Sequence, residues 1–396
     1  MSKSGYRKVP LQITQVRESE GETFTRVFDA RKGRGAVSNI QGRYEMEQRV
    51  GFDDGWGVPE PENGERDEAD EPAALRTIIT EETARTIISR NKSPDLPFNA
   101  SLNPYRGCEH GCVYCFARPT HAYLGLSPGL DFESRIFAKT NAPELLLREL
   151  AKPSYLPETI TVGINTDAYQ PCERELQITR RVLQILSDCR HPAALITKSS
   201  LIERDIDILA PMAARRQMIA AVTIATLDPA LARKLEPRAA TPTRRLRVIR
   251  TLAEAGIPVS VSVAPVIPFI NEPELEDIVA AAAEAGARRA GYTVLRLPWE
   301  VNPLFQQWLQ TYFPERANRV MNRIREMRGG KDNDSDFATR MRGEGVWAEL
   351  IRQRFDKAVQ RSGMHQHGWF DMLDASQFVA PARPARASPS GQFNLF

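Results

Sequence analysis

The sequence has no run of 18 apolar residues, the length a helix needs to cross a bilayer. Its opening, MSKSGYRKVP, lacks the apolar centre of a secretory signal. Cysteine is scarce, with five in 396 residues, and three of those sit within one octapeptide. That distribution does not suit a secreted disulfide framework. A large excess of one charge is also missing, since 53 Lys and Arg against 50 Asp and Glu leave a formal +3. These absences lead us to expect a cytoplasmic protein in a reducing compartment, with no membrane partner. A hydrophobic content of 42% is enough for a substantial core.

Charge is nevertheless unevenly placed. Residues 52–72 carry nine acids and one base, with prolines and glycines between them. Residues 51–76 therefore read as an acidic disordered linker. Before it, residues 1–50 form a basic N-terminal arm containing Arg31-Lys32-Gly33-Arg34-Gly35-Ala36, then Asn39 and Gly42-Arg43-Tyr44-Glu45. Glycine permits close backbone approach and arginine pairs with phosphate, so the arm is read either as touching a cofactor edge or nucleic acid, or as free. Residues 316–361 hold twelve bases and seven acids. That segment is read either as a phosphate-facing surface or as an ordinary solvated helix face.

What the chain does contain is Cys108-Glu109-His110-Gly111-Cys112-Val113-Tyr114-Cys115, a C-x3-C-x2-C pattern. Three thiolates on one short glycine-bearing loop suit an iron–sulfur cluster, to which proteins contribute soft sulfur ligands. A four-iron cubane held by three cysteines keeps one iron without a protein ligand, as catalytic metals do. The alternative is a zinc site completed by His110 or His121, although zinc ligands more often come as paired C-x2-C or as a pair with two histidines.

From Phe98 onward, strand-like and helix-like segments alternate. Strands are expected at 98–103, 159–165, 193–197, 218–226, 257–266 and 289–296, and helices at 143–151, 173–187, 202–215, from Thr241-Pro242 to Gly256, at 273–285 and at 302–312. Residues 77–93 read as a strand or a short helix. Six β/α units imply a parallel sheet covered by helices. The fold class is α/β, a partial (β/α)6 TIM-type barrel over residues 77–314, with a doubly wound sheet as the other arrangement the pattern permits. The cysteine loop follows the first of the six strands and so lies at the C-terminal mouth, where such folds keep their chemistry. Residues 315–370 read as a helical C-terminal extension interrupted by Gly329-Gly330. Within it, His365 and His367 are read as part of an exposed surface loop, with metal binding as the other reading. Residues 371–396 read as a flexible tail.

The C-x3-C-x2-C motif with Tyr114 before its last cysteine resembles the signature of the radical S-adenosylmethionine (radical SAM) superfamily. The wider string NPYRGCEHGCVYCFARPTH resembles the branch grouped with spore photoproduct lyase, a DNA-repair radical enzyme, and the likeness runs from about residue 99 to 355. The resemblance implies that Cys108, Cys112 and Cys115 hold a [4Fe-4S] cluster whose open iron takes S-adenosylmethionine (SAM). It implies reductive cleavage of SAM and hydrogen abstraction from a substrate, with electrons from a flavodoxin- or ferredoxin-type reductant. It places Tyr114 on the adenine side. Members often carry a Gly-Gly-Glu-like stretch after the second strand to receive the SAM amino group. This chain has Gly163-Ile164-Asn165-Thr166-Asp167 instead, leaving Asn165, Thr166 and Asp167 as the polar candidates, with a turn as their other reading. Lys198 and Ser199 are the candidates for the SAM carboxylate. Thr226, Asp228 and Asn271 end later strands and are further candidates. Some members of the branch use a cysteine as hydrogen donor. Cys172, near Tyr169, is a candidate for that role, with a buried structural thiol as the alternative.

The last five residues, Gln392-Phe393-Asn394-Leu395-Phe396, resemble the Q-x-x-L-F peptide that docks bacterial polymerases and repair proteins on the sliding clamp. Gln392, Leu395 and Phe396 would be its anchors; an accidental apolar terminus is the other reading. The functional expectation is a radical SAM enzyme on nucleic acid, a DNA-repair-like lyase. The alternatives are a radical SAM enzyme on another substrate, or a non-catalytic zinc-binding interaction module.

Overall fold

The computed structural model of the chain describes residues 32–45, 75–366 and 368–382. The acidic stretch 52–72, His367 and the terminal Gln392–Phe396 lie outside the described residues.

Residues 77–93 form two strands, β1 (Ile78–Glu82) and β2 (Ile88–Arg90). β3 (Ala100–Leu102) then runs into the cysteine loop, and β4 (Tyr105–Arg106), α1 (Leu130–Ser134) and β5 (Arg135–Lys139) lie around that loop. The alternation that follows is α2 (Ala142–Leu150), β6 (Ile160–Val162), α3 (Glu173–Leu176), α4 (Ile178–Asp188) and β7 (Ala193–Thr197). It continues with α5 (Ile206–Ala214), β8 (Met218–Thr223), α6 (Pro229–Leu235), α7 (Pro242–Glu254) and β9 (Val259–Val266). The last unit is α8 (Leu275–Glu284) with β10 (Arg289–Val294), followed by α9 (Val301–Tyr312), α10 (Pro314–Glu326) and α11 (Gly345–Arg361).

The main sheet runs β10-β9-β8-β7-β6-β3-β2. β3 and β6 to β10 are parallel neighbours, and β2 closes the outer edge antiparallel to β3. This is the expected partial six-unit barrel. Its strands are buried on both faces, Ile160, Thr161 and Val162 in β6 among them, which is why they read as short apolar runs. The other edge, β10, is covered by His365, whose backbone bridges Arg289 and whose carbonyl accepts from Ala290 N at 3.0 Å.

Local chemistry sets the helix ends. Thr241 caps α7 by accepting from Arg244 N at 3.4 Å, and Gly256 just beyond the helix has a φ of 77°. The single helix expected over 173–187 is two helices, because Gln177 adopts a left-handed φ of 50°. The Glu173 carboxylate accepts from the N–H groups of Thr179 at 2.9 Å and Arg180 at 3.3 Å, so it starts α4 afresh. The tail expected to run free from residue 371 is held at Asp374, whose N–H donates to Arg216 O, and at Val379, whose N–H donates to Cys189 O, both at 2.8 Å.

The N-terminal segment 32–45 also has fixed partners. Gly35 packs so closely on the cysteine loop that an added β-carbon would lie 1.8 Å from the Gly111 carbonyl oxygen. The N–H groups of Gly35 and Ala36 donate to the two oxygens of the Glu133 carboxylate at 2.9 and 2.8 Å. That carboxylate is fully buried and pairs with the fully buried guanidinium of Arg118. Arg118 also donates to the carbonyls of Cys112 (2.8 Å), Gly111 (3.1 Å), Pro128 (3.0 Å) and Gly129 (2.9 Å), which occupies the whole donor fork.

Arg118→Met leaves Glu133 as an uncompensated buried charge, and a loss of about 3–5 kcal/mol in unfolding free energy is expected from denaturant titration. Arg118→Lys keeps the charge but cannot reach the four carbonyls together, and should fall between Arg118→Met and the wild type. An unchanged midpoint in Arg118→Met would show that the loop does not depend on this pair.

Candidate functional site

The three cysteines occupy successive tight turns beyond β4. Cys108 N–H donates to Phe132 O at 2.9 Å, Gly111 N–H to Cys108 O at 3.3 Å and Cys115 N–H to Cys112 O at 3.2 Å. Gly107 and Gly111 have φ of 75° and 69°, conformations that glycine adopts without strain. All three thiols are free; Cys108 and Cys112 are buried and Cys115 is partly exposed. Burial pushes the Cys112 thiol up to about 12 and drives Cys108 well above its usual range, with Asp167 and the other two cysteines adding to the shift at Cys108. A soft metal that binds thiolate is what would draw off these protons.

Among the described residues, no three His, Cys, Asp or Glu side chains are gathered as ligands of a single ion. A polynuclear cluster spreads its thiolates over separate irons, so three sulfurs on one loop fit it without that convergence. The two histidines considered for zinc are engaged elsewhere. His110 Nδ1 lies 3.3 Å from the Asp167 carboxylate, and His121 Nε2 lies 2.9 Å from Arg135 O with its ring edge-on to Phe132.

A charged wall stands behind the loop. Tyr114 is buried and its hydroxyl donates to Glu236, which in turn pairs with the buried Arg245. Arg245 also donates to Thr223 O at 2.9 Å and Ala240 O at 2.7 Å. Lys198, just beyond β7, places its ammonium 6.0 Å from the centre of the Tyr114 ring. Burial pulls Lys198 down, but Cys112, Glu236 and Asp167 outweigh it and hold the amine above its usual range. Lys198 is therefore a fixed cation at the barrel mouth.

The other expected site residues divide by what their side chains already do. Asp167 accepts from Thr197 Oγ1 and Lys198 N–H, both at 2.7 Å, and from Tyr169 N–H at 2.9 Å. Burial raises its carboxyl, yet His110 and these donors hold it below the usual carboxylate range. Thr166 Oγ1 donates to Tyr105 O at 3.0 Å, and Ser199 Oγ caps the following turn by accepting from Leu201 N–H at 3.2 Å. Asn165 is exposed just past β6; its backbone N–H donates to Asn103 Oδ1 at 2.8 Å, and among the described residues its side chain has no hydrogen-bond partner.

Thr226 donates to Glu274 at 2.7 Å, Asp228 caps α6, and buried Asn271 bridges Ala225 O, Pro265 O and Ile267 N–H. Cys172 is buried; its N–H donates to Glu109 Oε1 at 3.1 Å, and burial together with Glu109 and Glu173 raises its thiol. Glu109 also accepts from Thr77 Oγ1 at 2.8 Å and pairs with Arg238 at 3.0 Å, so the cysteine loop is tied to the β6 loop and to the segment before β1.

Four residues at the site carry no sequence pattern of their own: Glu236, Arg245, Arg118 and Arg296. Arg296 follows β10 and is half-buried beside Phe116, with its guanidinium 5.9 Å from that ring. Among the described residues its Nε is buried without a hydrogen-bond partner and Nη1 meets Met341 Sδ at 3.7 Å, while the Asp95 carboxylate, paired with Arg340, is near enough to favour its charge. A lone Arg after a strand gives little signal; Arg118, three residues past the last cysteine of the motif, could have been suspected from its place.

Comparison with known proteins agrees with this geometry. The profile of the Radical SAM superfamily matches residues 102–282, from the end of β3 through α8. An uncharacterized protein of Mycobacterium tuberculosis is 37% identical over 234 residues, spanning 58% of this chain and 69% of the relative. An uncharacterized protein of Methanocaldococcus jannaschii is 26% identical over 222 residues, spanning 56% and 79%. Among solved structures, spore photoproduct lyase complexed with dinucleoside spore photoproduct aligns with a TM-score of 0.47 at 14% identity, over 73% of this chain and 81% of that one. A radical S-adenosylmethionine methyltransferase from Kitasatospora setae, with tryptophan substrate and a SAM analogue bound, aligns with a TM-score of 0.37 at 16% identity, over 54% and 41%. Likeness of that degree assigns neither substrate nor residue roles. The superfamily profile across five of the six units, together with a relative at 37% identity over most of its own length, establishes that the chain belongs to the radical SAM superfamily, whose enzymes use a [4Fe-4S] cluster and SAM.

Proposed function

We propose that this radical SAM enzyme acts on nucleic acid, as a DNA-repair-like lyase. The observation that carries the substrate half is Arg296, a half-buried cation at the mouth that forms no salt bridge among the described residues, the nearby Asp95 carboxylate being paired with Arg340, and that stands beside the residue that follows Cys115. A half-buried guanidinium whose nearest carboxylate is committed to another arginine suits a phosphate-bearing ligand. The likeness of NPYRGCEHGCVYCFARPTH to the spore photoproduct lyase branch supports the same reading. The arginines of 316–361 support it less, because Arg323, Arg325, Arg352 and Arg354 are each paired with carboxylates.

Cys108, Cys112 and Cys115 would hold the cluster, and Lys198 would receive the SAM carboxylate. Asn165, whose side chain is free, would receive the amino group. Thr166, Asp167 and Ser199 support that wall through the hydrogen bonds they already make. The Tyr114 hydroxyl is committed to Glu236, so what Tyr114 offers an adenine is its ring. When bound, the cluster and SAM supply reductive cleavage of SAM and removal of a hydrogen atom from substrate; the protein binds, orients and excludes water. The buried thiol of Cys172, kept protonated by its surroundings, is the proposed hydrogen donor. A flavodoxin- or ferredoxin-type protein is the proposed reductant, and Gln392, Leu395 and Phe396 are the proposed contacts to a sliding clamp.

Anaerobically reconstituted protein should be brown, and with dithionite and SAM it should release 5′-deoxyadenosine, a product lost in Cys112→Ala. DNA carrying the right lesion should raise that yield above the substrate-free level. Colourless, zinc-loaded protein that never cleaves SAM after reconstitution would sink the enzyme. Cleavage that neither DNA nor RNA stimulates would sink the nucleic-acid reading alone. Cys172→Ala should stop or divert product formation while 5′-deoxyadenosine persists; an unchanged product removes Cys172 from the chemistry. Deleting Gln392–Phe396 should abolish sliding-clamp binding in calorimetry, and equal binding by the truncated chain refutes the docking peptide.

A further inference from the structure

Five aromatic side chains are exposed among the described residues; Tyr44, Tyr123 and Trp299 gather around the Arg43 guanidinium, and Phe116 stands beside Arg296. Phe116 directly follows Cys115, and Trp299 lies five residues past the end of β10. The cysteine loop and β10 belong to the first and last of the six units, so these residues gather where the partial barrel is open. Tyr44 and Tyr123 stack at 5.1 Å between ring centres and are 54% and 66% exposed. The Arg43 guanidinium lies 4.1 Å over the Trp299 ring and 5.5 and 6.0 Å from those of Tyr44 and Tyr123. Arg43 is in turn fixed by buried Glu300 at 2.7 Å, so it braces the rings from beneath rather than swinging free.

Trp299 has a φ of 52°. A β-carbon is crowded in that conformation, and glycine fills it at less cost. Here the position instead presents an indole that is 63% exposed. Backbone strain at an exposed aromatic on the rim of an active-site mouth is a mark of function rather than of packing. Flat faces interleaved with arginine, one of them Arg296 beside Phe116, which forms no salt bridge among the described residues, match a ligand with π-faces on an anionic chain.

We propose that this rim is a stacking platform for unpaired nucleobases, with Arg296 taking a backbone phosphate, so that the protein receives its substrate single-stranded or locally opened. The proposal rests on the nucleic-acid reading above. Bases splayed on Trp299, Tyr123 and Tyr44 would carry the strand across the opening toward Phe116 and the cysteine loop.

The test is fluorescence anisotropy of the reconstituted full chain with labelled oligonucleotides: a mixed-sequence single strand, its duplex, the RNA equivalent and an abasic strand of equal length. The wild type should prefer the single strand to the duplex and bind the abasic strand poorly. Trp299→Gly and Tyr123→Ala should each weaken single-strand binding roughly tenfold. Trp299→Gly relieves the left-handed backbone, so its melting temperature should hold or rise, which separates binding from folding. Arg296→Ala should lower the slope of log affinity against log salt by about one. If the wild type binds DNA or RNA and the aromatic variants bind as well, the platform is overturned and the nucleic-acid reading stands. Equal affinity for the abasic strand overturns it as well. If the wild type binds no oligonucleotide, both readings fall. If it instead dimerises and Trp299→Gly dissolves the dimer, the rim is a protein contact and not a base platform.

Discussion

The buried ion pair between Arg118 and Glu133 is the constraint on which the loop depends. Two charges without solvent access are tolerated only when every remaining hydrogen-bond position is filled. Here the filling groups are the parts that make the site. The guanidinium takes carbonyls of the cysteine loop and of the turn before α1, and the carboxylate takes two N–H groups from the N-terminal segment. A loop of short turns has no sheet or helix ladder to set its shape. Its carbonyls are fixed instead by one planar fork, and the thiols inherit that rigidity.

A second buried array, Tyr114–Glu236–Arg245 with Lys198 beside it, works differently. The first pair closes on itself and shapes a backbone. The second brings two cations and one carboxylate to the loop and leaves a positive balance behind Cys112. Such a balance suits a centre whose thiolates, once metallated, carry negative charge, and a cofactor that ends in a carboxylate. The positive side chain nearest the mouth, Lys198, is the one not matched one-to-one by an acid.

Much of the scaffold was legible in the sequence. Strands buried on both faces read as apolar runs, and Thr241-Pro242 with Gly256 marked a helix at both ends, because those signals are local. The cysteine triad was legible for the same reason. What could not be read is what depends on distant partners. Nothing near Gly35 says that its N–H meets a carboxylate 98 positions away, and nothing near Glu236 points to Tyr114. The polar residues after β6 and β7 stand at strand ends, but pattern could not tell Asn165, whose side chain has no hydrogen-bond partner among the described residues, from Thr166, Asp167 and Ser199, whose side chains are engaged. The expected helix over 173–187 broke because the Glu173 carboxylate reaches forward to cap a new helix, a choice periodicity does not register.

The close approach of Gly35 to Gly111 bears on what counts as a unit of this protein. The stretch shared across the superfamily, 102–282, contains the thiols, Arg118 and Glu133 but not the two N–H groups that complete the carboxylate, nor the Leu75 carbonyl that receives Arg34. Excised at those bounds, the matched core would carry a buried carboxylate that has lost two of its three partners. The smallest piece able to mature is therefore longer than the homologous core.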